Sequence, residues 1–384
     1  MSRRIKIYEI GVAFSVLFFV VGSYCLRAQD SQNGTSASAV SETASTDEND
    51  GSANTAGDVA DRLKVFRGVD MTDEQIAARV SELVKYDVIN LNRNSKVTDE
   101  GMKALSECVE LRKLNLSNTG VTEKGLATLV ELKKLNELSV NFDRIDDSSL
   151  NTITELKNVV GLGLAFTTIS DSGLGKLSEM PQLADLYLDG TKITDEGLKK
   201  LAQIPKLRSL SVKHTGITGS GFKSFAGKET MREVYTDQSS FDDNGLRELG
   251  KIPELSVLEV SSSSVTGAGF DAFNSSSKLA KLDLNNSPIN DEGLKLISRF
   301  GNLRALNLSG TNVSADGLKE LEGLKELESL DLTYCVLKDV SALARLQSLK
   351  DLRLSKYAVK DQQVSALTKE LANCQITVDT DKPN

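Results

Sequence analysis

Apolar and polar positions along the chain recur with a long, fixed period. Leu114, Leu138, Leu162, Leu186, Leu210, Val234, Leu258, Leu282, Leu306 and Leu330 follow one another at intervals of 24 residues. Each opens an apolar-x-apolar triplet, except that Thr236 stands at the third place of the Val234 triplet. Alternation over three residues predicts a short strand whose first and third side chains point inward. Past each triplet comes another apolar residue, such as Ile193, and then a polar start to a helix, such as Thr194-Asp195-Glu196-Gly197-Leu198. Thr194 is a good N-cap, and Asp195 and Glu196 suit the positive helix end. One strand and one short helix cannot bury their own apolar face, so consecutive turns must stack into a solenoid.

Two further columns belong to this scaffold. Thr119, Thr167, Thr191, Thr215, Ser239, Ser263, Ser287 and Thr311 recur where the chain leaves the strand and predict a stacked ladder of hydroxyls. Gly recurs at each helix start, with Ser149 the exception, as close backbone approach requires. Thr72-Asp73-Glu74-Gln75 reads as a capping box ahead of Ile76, Val80, Leu83 and Val84, so residues 61–88 are expected to form an N-terminal capping helix. Cys374 to Val378 fits a last strand, 24 residues after Leu352.

The unit Leu183 to Leu201, of the form LxxLxLxxTxITDxGLxxL, resembles the leucine-rich repeat family in its bacterial exported arrays, and more distantly the family's cysteine-containing subclass. The resemblance covers about residues 89–378 and implies an α/β horseshoe of about 12 to 13 turns, with a concave parallel sheet and short convex helices. F-box function does not come with it, because no stretch remains to supply an F-box and only Cys335 occupies the cysteine column. The interval from Leu330 to Leu352 is 22 residues, and its segment Leu337 to Leu349 resembles an internalin-type repeat, which implies a tighter convex segment and changed curvature there.

Composition refines this picture. Apolar residues make up 39% of the chain, but aromatics only 5% and Trp is absent, so the core must be aliphatic. A net charge of -8 argues against a nucleic-acid partner. Of the four cysteines, Cys25 lies in the N-terminal apolar run and Cys108, Cys335 and Cys374 fall in different turns, so free and mostly buried thiols are expected. Arg3, Arg4 and Lys6 precede the apolar run Ile10 to Leu26, which makes residues 1–28 an export signal, either cleaved or kept as a membrane anchor through residues 10–26. Residues 29–60 are Ser/Thr-rich with six acids and no Lys or Arg, the composition of a disordered linker. The expected destination is the periplasm, the cell surface or the exterior, with residues 379–384 a short tail.

What the period leaves free is where function can reside. Outward strand positions and their flanks collect the acids Glu137, Asp185, Asp189, Glu233, Asp237 and Glu259 over the middle turns, with Tyr187 and Tyr235 between them. Phe142 and Phe166 occupy one column in successive turns, and His214 stands farther along it. Such a face can anchor a protein or peptide carrying basic groups, or stack on a glycan. The first expectation is therefore a non-enzymatic, exported interaction module; the second is a structural or adhesive envelope protein. His214 is the single histidine, which excludes metal sites needing two and relays needing more than one. No cofactor and no metal site are expected, and contact with a membrane is expected only through the N-terminal segment.

Overall fold

The computed structural model describes residues 63–274 and 277–380. The chain divides into a unit of Met1–Lys64 and a unit of Val65–Asn384, and the second carries the repeats. The expected export segment at 1–28 and linker at 29–60 lie outside the described residues.

Among the described residues all the strands join one parallel sheet of 14, in chain order from β1 (Val65–Arg67) to β14 (Gln375–Asp379). Register follows the period: Leu114 pairs with Leu138, Leu186 with Leu210, and Leu330 with Leu352. The residues on either side of Tyr187 and Ser211 point inward, so Leu186, Leu188, Leu210 and Val212 are all fully buried in one continuous aliphatic core. Full burial of one such side chain contributes about 1.5–3 kcal/mol. Thr236 does not break the core open. It is fully buried, its amide donates to the Glu259 carbonyl at 2.9 Å, and its hydroxyl approaches the same oxygen at 3.4 Å.

The N-terminal cap differs from expectation. β1 is an additional strand, pairing Phe66 with Ile89, inside the stretch expected to be only a capping helix. Its repeat signature is hidden because Gly68 stands where later strands carry a second apolar residue; Met71 and Leu91 fill that space, 2.6 and 2.7 Å from where a Cβ would lie. The helix itself is split into Asp73–Ala78 and Val80–Leu83, although the capping box forms as expected between Thr72 and Gln75. At the other end β14 extends to Asp379, one residue into the expected tail.

On the opposite side of the core, from the fifth turn onward, 3-10 and α-helical segments alternate. They run Leu174–Glu179, Asp195–Leu201, Ser220–Phe225, Asp243–Leu249, Ala268–Ala272, Asp291–Ile297 and Gly317–Gly323, the first, third, fifth and seventh being 3-10. The 22-residue turn also uses a 3-10 segment, Ser341–Arg345, so this feature is shared with longer turns rather than peculiar to it.

Two side-chain columns bind the turns. The hydroxyl column is mainly a set of local caps: Thr191 Oγ donates to the Leu188 carbonyl at 2.6 Å, and Thr215 to that of Val212 at 2.6 Å. Only Ser263 and Ser287 bond hydroxyl to hydroxyl, at 3.0 Å. The inter-turn ladder is built instead by an aspartate that opens the helical segment or stands three residues before it. Asp195 accepts from the Thr218 hydroxyl at 2.6 Å, and Asp99, Asp147, Asp171, Asp243 and Asp291 serve Thr122, Ser170, Thr194, Thr266 and Ser314 in the same way. Where that place holds Glu123, Gly219 or Gly267, the position below it in the next turn holds Asp146, Asp242 or Asn290, whose side-chain oxygen accepts the N–H three residues on. Cys108 and Cys335 are buried free thiols and Cys374 is a half-buried one.

Candidate functional site

Residues that alternate with the buried leucines form the outer face of the sheet. Glu137, Gly161, Asp185, Ser209 and Glu233 are consecutive in one column, and Ser139, Gly163, Tyr187, Ser211 and Tyr235 in the next. Large and small side chains therefore alternate from strand to strand, and with strands about 4.8 Å apart the large ones recur about every 10 Å. The result is a ridged surface in which the expected residues Glu137, Asp185, Tyr187, Glu233 and Tyr235 form the ridges.

The acids on this face are matched by bases that a reading of the acids and aromatics alone passes over. Lys113 donates to Glu137 Oε1 at 2.5 Å, and Arg208 clasps Asp185, with Nη2 2.7 Å from Oδ2. Lys213 bridges Asp237 and Glu259, and Lys281 reaches the other Glu259 oxygen at 2.7 Å. Burial works against the Lys213 ammonium, but its two carboxylates more than offset it and hold its pKa above the ordinary lysine value. Glu259 is likewise held below the usual glutamate value by Lys213 and Lys281, against burial. The signal for these partners was present in the sequence, since Lys113 and Lys281 share a column with Glu137 and Glu233, and Lys213 shares one with Asp189 and Asp237.

The acids divide accordingly into connectors and contact groups. Asp189 accepts from Ser211 Oγ at 2.5 Å and the Lys213 amide at 2.9 Å, and Asp237 accepts the Ser261 amide at 3.0 Å; both tie one turn to the next. Glu233 accepts the Tyr235 hydroxyl at 3.1 Å. Glu137 keeps a buried Oε2 without a hydrogen-bond partner, and burial raises its pKa despite Lys113. Burial and the surrounding carboxylates also push both phenols, Tyr187 and Tyr235, well above the ordinary tyrosine value, so both remain O–H donors. The Lys213 ammonium lies 5.2 Å from the Tyr235 ring centre, within cation–π range.

The aromatic column sits on the rim where each strand ends. Phe142, Phe166 and His214 all have left-handed backbone, with φ of 61°, 57° and 55°. Phe142 and Phe166 stack with centroids 4.5 Å apart and planes 6° from parallel, and His214 lies 6.3 Å beyond Phe166. Gly190, between them in the column, leaves room for the Phe166 ring: a Cβ there would fall 2.5 Å from two ring carbons. Neither phenylalanine joins the core, and Phe142 is 44% exposed. They form a shelf beside the sheet face rather than folding over the edge of the core.

Among the described residues, no group of three or more His, Cys, Asp or Glu side chains could hold a metal ion, and no helix is long and apolar enough to cross a membrane.

Residues 67–336 match the family model described as a leucine-rich repeat region. No curated protein sequence matches the chain. Among solved structures, an internalin of Listeria monocytogenes is similar with a TM-score of 0.50 and 21% identity, over 76% of this chain and 90% of that one. A leucine-rich repeat protein of Leptospira interrogans is similar with a TM-score of 0.40 and 15% identity, over 82% of this chain and 99% of that one.

Proposed function

Because the chain belongs to the leucine-rich repeat family across residues 67–336, we propose that it is a non-enzymatic interaction module, exported to the cell envelope, whose sheet face and adjoining rim bind a protein or peptide. Repeat solenoids offer extended surfaces of this kind, and one observation supports putting the contact at the rim: the stacked Phe142–Phe166 shelf. Left-handed backbone at a bulky residue is strained, and the strain is spent on rings that stay outside the core. Rigid exposed rings beside O–H donors and partly paired carboxylates have the makeup of an interaction hot spot.

Basic groups on the partner would be read locally. The internal ion pairs remove much of the acidic field, leaving Glu233 with its Tyr235 partner to meet a lysine or arginine, and Tyr187 and Tyr235 to flank the apolar part of the ligand. The flat exposed ring of Phe142 also favours a second reading, in which a sugar ring stacks there and the protein serves adhesion.

The test uses residues 61–384 as bait, with captured proteins identified by mass spectrometry and a glycan array run in parallel. Phe142→Asn together with Phe166→Asn should abolish capture while the fold stands, because Asn118 and Asn286 already occupy the same column with the same backbone. Undiminished capture by the double variant would remove the rim from the site.

A further inference from the structure

The turn that carries Phe142 breaks a rule kept by the four turns that follow it. In the column just after the left-handed residue, Thr167, Thr191, Thr215, Ser239, Ser263 and Thr311 each donate a hydroxyl to the carbonyl three residues earlier, at 2.6–2.9 Å. In the Phe142 turn that place belongs to Asp143, which as a carboxylate has nothing to donate. Asp143 is only 6% exposed. Its Oδ1 accepts from the Thr119 amide at 2.7 Å and the Thr119 hydroxyl at 3.4 Å, while its Oδ2 is buried without a partner. An ionised carboxylate in that setting would leave charge unmatched; a carboxylic acid would have a proton to give.

We propose that Asp143 is a positioning residue held as the neutral acid, whose Oδ2–H replaces the missing hydroxyl by donating to the Val140 carbonyl and so locks the left-handed Phe142 turn. The inference rests on the reading of the Phe142–Phe166 shelf as a contact surface. Loss of the proton sets a carboxylate against a carbonyl oxygen, opens the 140–143 turn and loosens the Phe142 ring from Phe166, so the shelf becomes proton-dependent.

The surroundings agree. Burial pushes the Asp143 carboxyl up to about 8, against the two hydrogen bonds from Thr119. The preceding turn faces it with Asn118 and Thr119 and the following turn with Phe166 and Thr167, none of which titrates in this range. On its own turn the charged neighbours Arg144 and Asp146 are exposed, and neither contributes to the shift.

The full chain, labelled with carboxyl-13C aspartate and ring-labelled phenylalanine, is titrated by NMR from pH 3 to 9.5 without any ligand. The Asp143 carboxyl should titrate near 8 instead of near the ordinary 3.8, and the Phe142 and Phe166 ring signals should move along the same curve. Asp143→Thr, or Asp143→Ser if the first fails to fold, should abolish the ring-signal transition and keep the stack at every pH. Titration near 4 overturns the proposal; so do ring signals that ignore Asp143. Because no partner is needed, failure of the capture experiment would remove the contact surface while leaving this titration to stand or fall alone.

Discussion

At the residue scale the recurring problem is one left-handed position per turn. Asn118, Asn286, Gly190 and Gly310 meet it in the usual way, while Phe142, Phe166 and Tyr334 do so with bulky rings. Left-handed backbone costs a non-glycine residue about 1–2 kcal/mol, and a stacked aromatic pair returns about 0.5–1.5 kcal/mol. Phe142→Asn should therefore shift stability by less than about 1 kcal/mol, measured by urea unfolding, even though it removes an exposed anchor. The carboxylates respond to pH in opposite senses. For Asp147 and Asp195 burial is outweighed by hydrogen bonds from Ser170, Ser172, Thr218 and the Gly219 and Gly221 amides, so both are held below the ordinary 3.8. Their stabilisation is complete above the unfolded-state value and disappears as pH falls through the folded-state value. Asp143, raised to about 8, adds a cost that grows as pH climbs from the ordinary 3.8 to that value. Urea midpoints should fall on both sides of a weakly acidic optimum; Asp195→Asn should flatten the acid side and Asp143→Thr the alkaline side. The rim and ridge residues were legible in the sequence because fixed columns assign neighbours. The charge of the face follows only when Lys113, Lys213 and Lys281 are taken with the acids of the same columns.

At the element scale the helix starts show why the period was easier to see than its meaning. Asp195 reads naturally as a residue that favours a helix end, and its second task, accepting the Thr218 hydroxyl of the next turn, appears only when turns are stacked. The exceptions then become informative, since Gly219 and Gly267 are followed by Asp242 and Asn290, caps that accept instead of donate. Gly219 has φ of +100°, and a Cβ there would fall 2.6 Å from the Gly245 backbone and 2.5 Å from the Phe241 ring. Gly219→Ala should therefore destabilise by more than about 2 kcal/mol in urea unfolding, since overpacking and backbone strain each cost about 1–3 kcal/mol. Strand positions were readable from Ile89 onward, but β1 was not, because Gly68 removes half of its signature. The choice between α and 3-10 segments depends on packing between adjacent turns, which no single repeat displays.

At the scale of the whole repeat unit, every strand pairs only with its neighbours in the chain, so the body is held together by a series of matched interfaces and not by one closed core. In the middle turns those interfaces come in two kinds. Asp195 over Thr218 is followed by Gly219 under Asp242, then Asp243 over Thr266, then Gly267 under Asn290, with α and 3-10 segments alternating in step. Excision of the 24 residues 218–241 would set the Asp195 carboxylate against that of Asp242 and put two α-helical segments side by side. Excision of the 48 residues 218–265 would bring Asp195 to Thr266 and restore both the donor–acceptor match and the alternation. The longer deletion should unfold at the higher urea concentration of the two, although it removes twice as much chain. In this stretch the heritable unit is thus the pair of turns: unequal recombination can add or drop coding segments in even numbers with little penalty, while odd numbers leave a junction that selection must repair.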